Sequence, residues 1–303
     1  MYLHNREELQ ALRKSAEAAL HAPGIRILVC AGTGCIASGS KDIYDKMKSL
    51  CEGNNSVSVE FEGEVPHPEI KKSGCHGFCE MGPLMRIEPL GILYIKVKVE
   101  DCEEIYEKTI CHGEAIDRLL YHKDGQVYQS EESIPFYAGQ MRLVLKNCGH
   151  IDAENIEEYI AVGGYQALEK VLFDVDQEEG LSIIEEANLR GRGGGGFPAG
   201  KKWKQVAHQK EKERYIVCNG DEGDPGAFMD RSIMEGDPHK MLEGMLVGAC
   251  LTGAQNAYIY VRAEYPLAVE RLQKAIKQAE EYGLIGDNIL GTDFSVHFHI
   301  NRG

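Results

Sequence analysis

Two closely spaced cysteine pairs constrain the fold of this chain more than any other feature of its sequence. Four residues separate Cys30 from Cys35, three separate Cys75 from Cys79, and residues 36–74 lie between the pairs. Two loops at one edge of a sheet can bring four thiolates together, where they can bind Zn²⁺ or an iron–sulfur cluster. Structural zinc usually uses pairs separated by two residues, so the wider spacings favour a [2Fe–2S] cluster. The alternative is two redox-active or incidental pairs, but both pairs lie in glycine-rich stretches of the same unit.

The apolar pattern around the cysteines predicts a small α/β domain over residues 1–122. Helical spacing at 9–20 precedes an apolar strand at 25–29, and a helix at 40–50 precedes an alternating strand at 57–61. A strand pair at 84–87 and 93–97 and a helix at 101–108 complete the domain. The order β-α-β and then β-β-α is that of a thioredoxin-like domain.

Composition bounds the class of protein. The chain has 303 residues, enough for two domains, and a formal charge of −15, which argues against a nucleic-acid partner. No apolar run approaches the length of a membrane span, and the N-terminal stretch lacks the apolar core of a signal peptide. We therefore expect a cytoplasmic protein without membrane insertion, whose ten cysteines include metal ligands rather than disulfides.

A glycine-rich stretch at 188–203, NLRGRGGGGFPAGKKW, marks a second candidate site. Glycines let a ligand touch the main chain, and exposed amides followed by a helix N-terminus suit an anion. A flexible linker is the alternative, but linkers usually lack paired basic residues and an apolar Phe-Pro step. No strand precedes the stretch and no Gly-Lys-Ser/Thr occurs in it, so neither a Rossmann turn nor a P-loop is supported. The sequence thus predicts a loop for a phosphate-bearing cofactor.

The region after residue 122 is interpreted as a linker at 123–152 and a second α/β domain at 153–303. The linker contains a turn at 123–125 and a strand at 141–145, and Asp152 is expected to cap a helix at 153–161. A helix at 178–187 leads into the glycine-rich stretch, and a long apolar helix begins at Pro238. A strand at 294–300 places His297 and His299 on one face, where exposed histidines are a better account than a shared metal.

An acidic loop, NGDEGDPG at 219–226, follows a predicted strand at 215–218. Open α/β sheets bind ligands at the carboxyl ends of their strands, so this loop is a candidate ligand site. A solvated turn is the alternative, and the spacing of the acids does not fit an EF-hand.

The stretches CAGTGCIASGS (30–40) and SGCHGFCEMGP (73–83) resemble the thioredoxin-like [2Fe–2S] ferredoxins. In particular they resemble the version fused to the front of NADH-binding flavoprotein subunits of bacterial hydrogenases and formate dehydrogenases. This resemblance implies that Cys30, Cys35, Cys75 and Cys79 are the cluster ligands and that His76 is a loop residue.

The glycine-rich stretch closely resembles the GLRGRGGAGFPTGLKW loop of the flavoprotein subunit of respiratory complex I, with Gly195 where that family usually has Ala. The resemblance implies an FMN site beside a nicotinamide site. Phe197 would stack against the nicotinamide nucleotide. The residues implied to contact FMN are Gly191, Arg192, Gly193, Gly194 and Lys202.

The acidic loop resembles the CNADESEPG loop of the same family. Asn219, Asp221 and Glu222 are therefore carried over as residues that bond the flavin ring and ribityl chain. Asp224 stands where the family often has Glu near the nucleotide.

The resemblance implies a diaphorase subunit that passes electrons between NAD(H) or NADP(H), FMN and iron–sulfur clusters in a multisubunit hydrogenase, with electron bifurcation as one option. The implied partners are a small thioredoxin-like [2Fe–2S] subunit and a catalytic hydrogenase or formate dehydrogenase subunit. The family's remaining part, with another loop of the FMN pocket and a [4Fe–4S] site, has no counterpart in these 303 residues. The alternatives are an NAD-dependent formate dehydrogenase subunit, a complex I-type subunit, or a non-catalytic [2Fe–2S] module completed by a partner chain. No catalytic side chain is assigned, because the cofactors carry the chemistry.

Overall fold

The computed structural model describes residues 1–53 and 68–303, which divide into two compact units. The cysteine unit comprises His21–Asn155 and Glu235–Asp237, and the glycine-loop unit comprises Met1–Leu20, Ile156–Met234 and Pro238–Gly303. The predicted mixed α/β class is confirmed. The strand predicted at 57–61 lies outside the described residues.

Both units combine helices with short strands. The helices of the described residues are α1 (Arg6–Leu20), α2 (Thr33–Ala37), α3 (Ser40–Gly53), α4 (Cys102–Glu104, continued by a π-helical turn at Ile105–Ile110), α5 (Pro135–Ala138), α6 (Ile156–Ala161), α7 (Gln166–Phe173), α8 (Gln177–Glu186), α9 (Ala199–Ala207), α10 (Met229–Gly236), α11 (Pro238–Thr252) and α12 (Pro266–Glu281). The strands are β1 (Arg26–Cys30), β2 (Glu69–Ser73), β3 (Met85–Glu88), β4 (Ile92–Tyr94), β5 (Tyr121–Lys123), β6 (Gln126–Tyr128), β7 (Tyr215–Gly220), β8 (Asn256–Val261) and β9 (His297–Arg302).

The sheet of the cysteine unit has the strand order β2-β1-β3-β4. β1 runs parallel to β2 and antiparallel to β3, and β3 runs antiparallel to β4. Apolar side chains of β1 and β3, such as Ile27 and Met85, are buried together with Ile43 and Met47 of α3. The sheet therefore packs against α3. The cysteine loops follow the carboxyl ends of β1 and β2.

Residues 123–152, predicted as a linker, cluster with the cysteine unit. The turn predicted at 123–125 is confirmed: Asp124 and Gly125 both have positive φ and join β5 to β6, as a type I′ hairpin requires. Residues 141–145 are described and form no strand, so that prediction is wrong. Met141 is 86% exposed, because the apolar residues that suggested a strand do not face a core.

The helix expected at 153–161 begins later, at Ile156. The Asp152 carboxylate accepts a hydrogen bond from the amide of Glu154, two residues on, and so closes a turn before the helix. The side chain therefore binds locally, but not as the cap of α6.

Helix α1 clusters with the glycine-loop unit, although the sequence grouped it with residues 21–122. Its Leu9 and Leu12 are buried, and the helix packs against α6. Arg6 and Arg13 both form ion pairs with Glu169 of α7. The helical period was readable from the sequence, but a leucine face does not specify which apolar surface it covers.

The glycine-loop unit is built on a parallel sheet in the order β7-β8-β9. Helix α11 is buried along most of its length and contacts α7, α8, α9, α12 and β7. The strand predicted at 215–218 and the helix predicted to begin at Pro238 are confirmed. No helix of the described residues is long and apolar enough to cross a membrane.

Candidate functional site

The two cysteine loops leave the same edge of the sheet because β1 and β2 are parallel neighbours. The first cysteine loop (residues 30–35) starts at the last residue of β1, and Cys30 pairs in register with Ser73, the last residue of β2. The second cysteine loop (residues 73–79) starts at that serine. Parallel pairing thus brings together two segments that are about 40 residues apart in sequence.

The four thiols contact one another in two adjoining pairs. The Cys75 and Cys79 sulfurs are 3.7 Å apart. The proximity of the Cys35 thiol is the main reason that the pKa of Cys30 is raised to about 12, and the same interaction lowers the pKa of Cys35. The Gly77 amide donates to the Cys75 sulfur at 3.4 Å.

Glycines allow these loops to approach closely. A Cβ at Gly32 would lie 2.9 Å from the Cys75 Cβ, and one at Gly82 would lie 2.8 Å from the Cys35 sulfur. Any side chain at either position would push a cysteine away. Small residues are therefore required where the two loops meet.

In residues 1–53 and 68–303, no group of three or more His, Cys, Asp or Glu side chains is placed to hold a single metal ion. Four thiols in two loops that meet are a donor set that can bind an iron–sulfur cluster. Cys79 is exposed and Cys30 is buried, so one side of the set opens to solvent.

A buried ion network supports the second cysteine loop. His76 is fully buried, and its Nε2 lies 2.7 Å from the Ser73 hydroxyl. Glu131 is 3% exposed and pairs with both Arg86 and Arg142, and Arg142 also donates to the carbonyl oxygen of His76 at 3.3 Å. Sequence reasoning missed this network, because its acid lies in a polar segment that looks like a linker.

The glycine loop, residues 188–198, connects α8 to α9 and closes on itself. The Gly191 amide donates to the Phe197 carbonyl at 2.9 Å, and the Ala199 amide donates to the Leu189 carbonyl at 2.7 Å. Between these bonds the loop is exposed, and a Cβ at Gly193 would meet no atom within 4 Å. The same holds for Gly194 and Gly195, so the main chain borders open space there.

Two of the predicted cofactor residues, Phe197 of this loop and Lys202 of α9, lie close together. Phe197 is 48% exposed, and the Lys202 ammonium stands 5.9 Å from the centre of its ring. Arg192 is exposed in the glycine loop itself. The loop thus presents an aromatic face and two cations around an uncovered stretch of main chain.

The acidic loop, residues 219–226, continues from the carboxyl end of β7. Asn219 is exposed, and its side-chain oxygen accepts a hydrogen bond from the Asp221 amide at 3.0 Å. Asp221 and Asp224 are exposed as well. Three of the four predicted side chains are therefore accessible to a ligand.

Glu222 is the fourth, and its carboxylate is already bound within the protein. It is 7% exposed and accepts hydrogen bonds from the amides of Met229, Asp230 and Arg231, at 2.7, 3.1 and 3.2 Å. The Tyr265 hydroxyl donates to it at 3.2 Å. Glu222 thus satisfies the first amides of α10 and fixes the acidic loop to that helix.

Helix α11 packs against an element beside each of these two loops. A Cβ at Gly248 of α11 would lie 3.1 Å from Trp203 of α9 and 3.1 Å from Ile216 of β7. Helix α9 follows the glycine loop, and β7 precedes the acidic loop. The close packing at Gly248 therefore fixes the element at the end of the glycine loop and the strand at the start of the acidic loop.

The histidines of β9 are exposed, as predicted. His297 pairs with Asp287 at 3.3 Å, and His299 stacks on Tyr258 with ring centres 4.8 Å apart. Each ring thus has a partner within the protein.

Part of the chain is similar to known proteins. Residues 184–302 match the Nuo51 FMN-binding domain. The NADP-reducing hydrogenase subunit HndC of Solidesulfovibrio fructosivorans is 48% identical over 164 residues, which are 54% of this chain and 33% of the relative. An NADH-quinone oxidoreductase subunit of Rhizobium meliloti is 46% identical over 161 residues, which are 53% of this chain and 38% of the relative. The chain therefore spans about a third of the length of these curated relatives.

Solved structures align more loosely. A NAD⁺-reducing [NiFe]-hydrogenase in the air-oxidized state aligns with 99% of this chain and 49% of its own, at 20% identity and a TM-score of 0.40. A thioredoxin-like [2Fe–2S] ferredoxin from Aquifex aeolicus aligns with 34% of this chain and 94% of its own, at 26% identity and a TM-score of 0.29.

Residues 184–302, which contain both the glycine loop and the acidic loop, thus match a Nuo51 FMN-binding domain. Over about half of its length the chain is homologous to HndC and to an NADH-quinone oxidoreductase subunit. The predicted resemblance to this flavoprotein family is thereby confirmed.

Proposed function

We propose that this chain is the FMN- and nicotinamide-binding part of an NAD(P)H:acceptor oxidoreductase subunit, with a [2Fe–2S] cluster in its cysteine unit. The observation that carries the proposal is the match of residues 184–302 to an FMN-binding domain. The open main chain of the glycine loop and its neighbouring cations agree with it. NAD(H) or NADP(H) is the nucleotide class, since the relatives are named for NADP-reducing and NADH-linked complexes.

The glycine loop binds the flavin. Bound FMN converts two-electron exchange with the nicotinamide into single-electron transfer. Gly191, Gly193 and Gly194 let the cofactor touch the main chain, and Arg192 and Lys202 offset its phosphate charge. Phe197 offers its exposed ring to the planar nicotinamide.

The acidic loop orients the flavin. Asn219 and Asp221 are accessible and bond its polar atoms, and Asp224 faces the nucleotide. Glu222 acts in a different way from the role implied by the family resemblance. Its carboxylate holds the amides of α10, so it fixes the loop that the other three residues need.

The cysteine loops hold the cluster. Cys30, Cys35, Cys75 and Cys79 would hold it, because the parallel strands β1 and β2 end side by side and the Cys75 and Cys79 sulfurs are 3.7 Å apart. The thioredoxin-like assignment of this unit is supported by its strand order and by the helix α3 between β1 and β2.

The partners proposed are further iron–sulfur subunits, including a small thioredoxin-like [2Fe–2S] subunit, around a catalytic hydrogenase subunit in the cytoplasm. HndC, a hydrogenase subunit, supports this choice over a formate dehydrogenase. Electron bifurcation and a [4Fe–4S] site belong to the same proposal for the assembled complex. Mass spectrometry of the native complex tests it, and a formate dehydrogenase as the catalytic partner would contradict it.

Cofactor analysis tests the proposal for this polypeptide. The purified chain is assayed for FMN, iron and acid-labile sulfide, and for NADH-dependent dye reduction. We expect one FMN, two irons and two sulfides for each chain, as the sites define, together with dye reduction. Zinc in place of iron and sulfide contradicts the cluster.

A second candidate is a non-catalytic [2Fe–2S] electron-transfer module whose flavin site a partner chain completes. The observation that favours it is that the chain spans only about a third of its curated relatives. A full cluster without FMN and without dye reduction selects this candidate.

A further inference from the structure

A tripeptide from the far end of α10 lies between the two cysteine loops. Glu235–Asp237 clusters with the cysteine unit, although residue 155 is the last of the continuous part of that unit. Glu235 and Asp237 are each 2% exposed. Burying a carboxylate is costly unless it is hydrogen-bonded, so we asked which groups of the cysteine unit bind these two acids.

Glu235 binds the middle of the first cysteine loop. Its Oε2 accepts from the Thr33 amide at 3.0 Å, and its Oε1 accepts from the Thr33 hydroxyl at 2.5 Å. Thr33 begins α2 and lies two residues before Cys35. The carboxylate therefore fixes both the backbone and the side chain of the turn that carries this thiol.

Gly236 touches the second cysteine loop. A Cβ at Gly74 would lie 2.5 Å from the Gly236 Cα, and a Cβ at Gly236 would lie 2.7 Å from the Cys148 sulfur. Gly74 immediately precedes Cys75. The main chain of the tripeptide thus rests directly against the loop that carries the second thiol pair.

Asp237 binds the segment of the cysteine unit that contains Asn147. Its Oδ2 accepts from the Asn147 side-chain amide at 2.8 Å. Asn147 is 6% exposed and is the neighbour of Cys148. Each residue of the tripeptide therefore binds a different segment of the cysteine unit.

We propose that Glu235 is a positioning residue for the iron–sulfur site: with Gly236 it sets the spacing of the two thiol pairs, and its charge sets the cluster's reduction potential. The proposal rests on the [2Fe–2S] assignment made above. A buried carboxylate bonded two residues from a ligand places negative charge where the field is weakly screened. Reduction adds negative charge to the cluster, so this carboxylate lowers the potential.

The test of the charge uses the whole chain with its cluster and measures the midpoint potential by EPR-monitored titration. Glu235→Gln is expected to raise the potential, because it removes the negative charge and keeps the shape. Thr33→Val is expected to lower it, because the carboxylate loses the hydroxyl that partly neutralises it. Glu114→Gln removes an exposed charge from the same unit and is expected to leave the potential unchanged.

The test of the spacing measures iron and sulfide. Gly236→Ala forces a methyl group against Cys148 and is expected to lose most of the cluster. Gly244→Ala is the matched control, since a Cβ there meets no atom within 4 Å. The fluorescence of Trp203 reports whether the glycine-loop unit of each variant is folded.

The outcomes separate this inference from the proposed function. Opposite shifts in Glu235→Gln and Thr33→Val, with cluster loss in Gly236→Ala only, support it. A wild-type cluster whose potential and iron content are the same in all variants overturns the role of Glu235 and leaves the cluster in place. A wild-type chain without iron and sulfide overturns both.

Discussion

Lys202 is the side chain on which the flavin assignment can be tested most simply. It shares α9 with Lys201, and both are exposed, but only Lys202 stands over Phe197. Lys202→Ala should weaken FMN binding about tenfold or more, because a hydrogen bond to a charged group contributes about 1.5–3 kcal/mol. Lys201→Ala serves as the control and should change the affinity less than about twofold. Titration by flavin fluorescence measures both, and equal losses in the two variants would contradict the assignment.

His239 makes the stability of the glycine-loop unit depend on pH. Its ring is buried, with Nδ1 2.8 Å from the Tyr165 hydroxyl and Nε2 3.0 Å from the Gln278 carbonyl oxygen. Burial lowers the pKa of His239 from 6.5 to about 4. Between these values the unfolded chain binds more protons than the folded one, so the free energy of unfolding falls as the pH falls, by up to about 3 kcal/mol.

In His239→Gln the side chain stays neutral at every pH. The fall in the free energy of unfolding that the buried histidine causes at low pH should therefore be absent. Compared with wild type, its urea midpoint should fall less steeply between pH 6.5 and 4. His208→Gln removes an exposed histidine paired with Glu178 and should keep the wild-type slope. Parallel pH profiles for wild type and His239→Gln would show that the buried histidine is not the cause.

Of two glycines in the same stretch, only one should be sensitive to an added methyl group, because only one of them packs against a helix. A Cβ at Gly200 would lie 2.6 Å from the Glu185 Cα of α8, whereas a Cβ at Gly195 would meet nothing within 4 Å. Gly200→Ala should therefore lower the free energy of unfolding by about 1–3 kcal/mol. Gly195→Ala should change it by less than about 0.5 kcal/mol and should retain FMN.

The single tryptophan, Trp203 of α9, reports this comparison directly. Its fluorescence during urea unfolding follows α9, the helix that contains Gly200. A loss of stability in Gly195→Ala as large as that in Gly200→Ala would mean that the glycine loop is packed rather than open.

The elements that carry the sites were predictable because their signals are local. An apolar run ending in Cys30 indicates a strand edge, and the Phe-Pro step and lysines of residues 197–202 indicate a loop followed by a helix. The role of Glu222 was not predictable in this way. An acid in a polar loop reads as a ligand group, and only the structure shows that α10 turns its first amides toward it.

Contacts between distant segments were also beyond the sequence. Nothing in the segment around Glu235 indicates that it binds Thr33, some 200 residues earlier, because a carboxylate can bond any donor that the fold supplies. The same applies to α1, whose leucine face is visible in the sequence without its partner surface. The periodicity of a segment predicts whether it forms a helix or a strand. Which other segment it packs against depends on contacts with residues far away in the sequence.

At the scale of the whole molecule, the assignment of α1 to the glycine-loop unit has a measurable consequence. Leu9→Ala removes a fully buried side chain and should destabilise the unit by about 2–4 kcal/mol. The loss should appear in the Trp203 transition and should spare the cluster absorbance. Leu119→Ala, in the core of the cysteine unit, should affect the cluster absorbance first. If Leu9→Ala lowered the cluster absorbance first and left the Trp203 transition unchanged, α1 would belong to the cysteine unit instead.

The central claim is that one chain contains both an FMN site and a [2Fe–2S] cluster that accepts electrons from it. The most direct measurement is the low-temperature EPR spectrum of the FMN-loaded chain after anaerobic addition of NADH. We predict flavin bleaching together with the signal of a reduced [2Fe–2S] cluster, and the loss of that signal alone in Cys75→Ala. An FMN-loaded chain that NADH leaves oxidised, or one that bleaches without any cluster signal, would contradict the account.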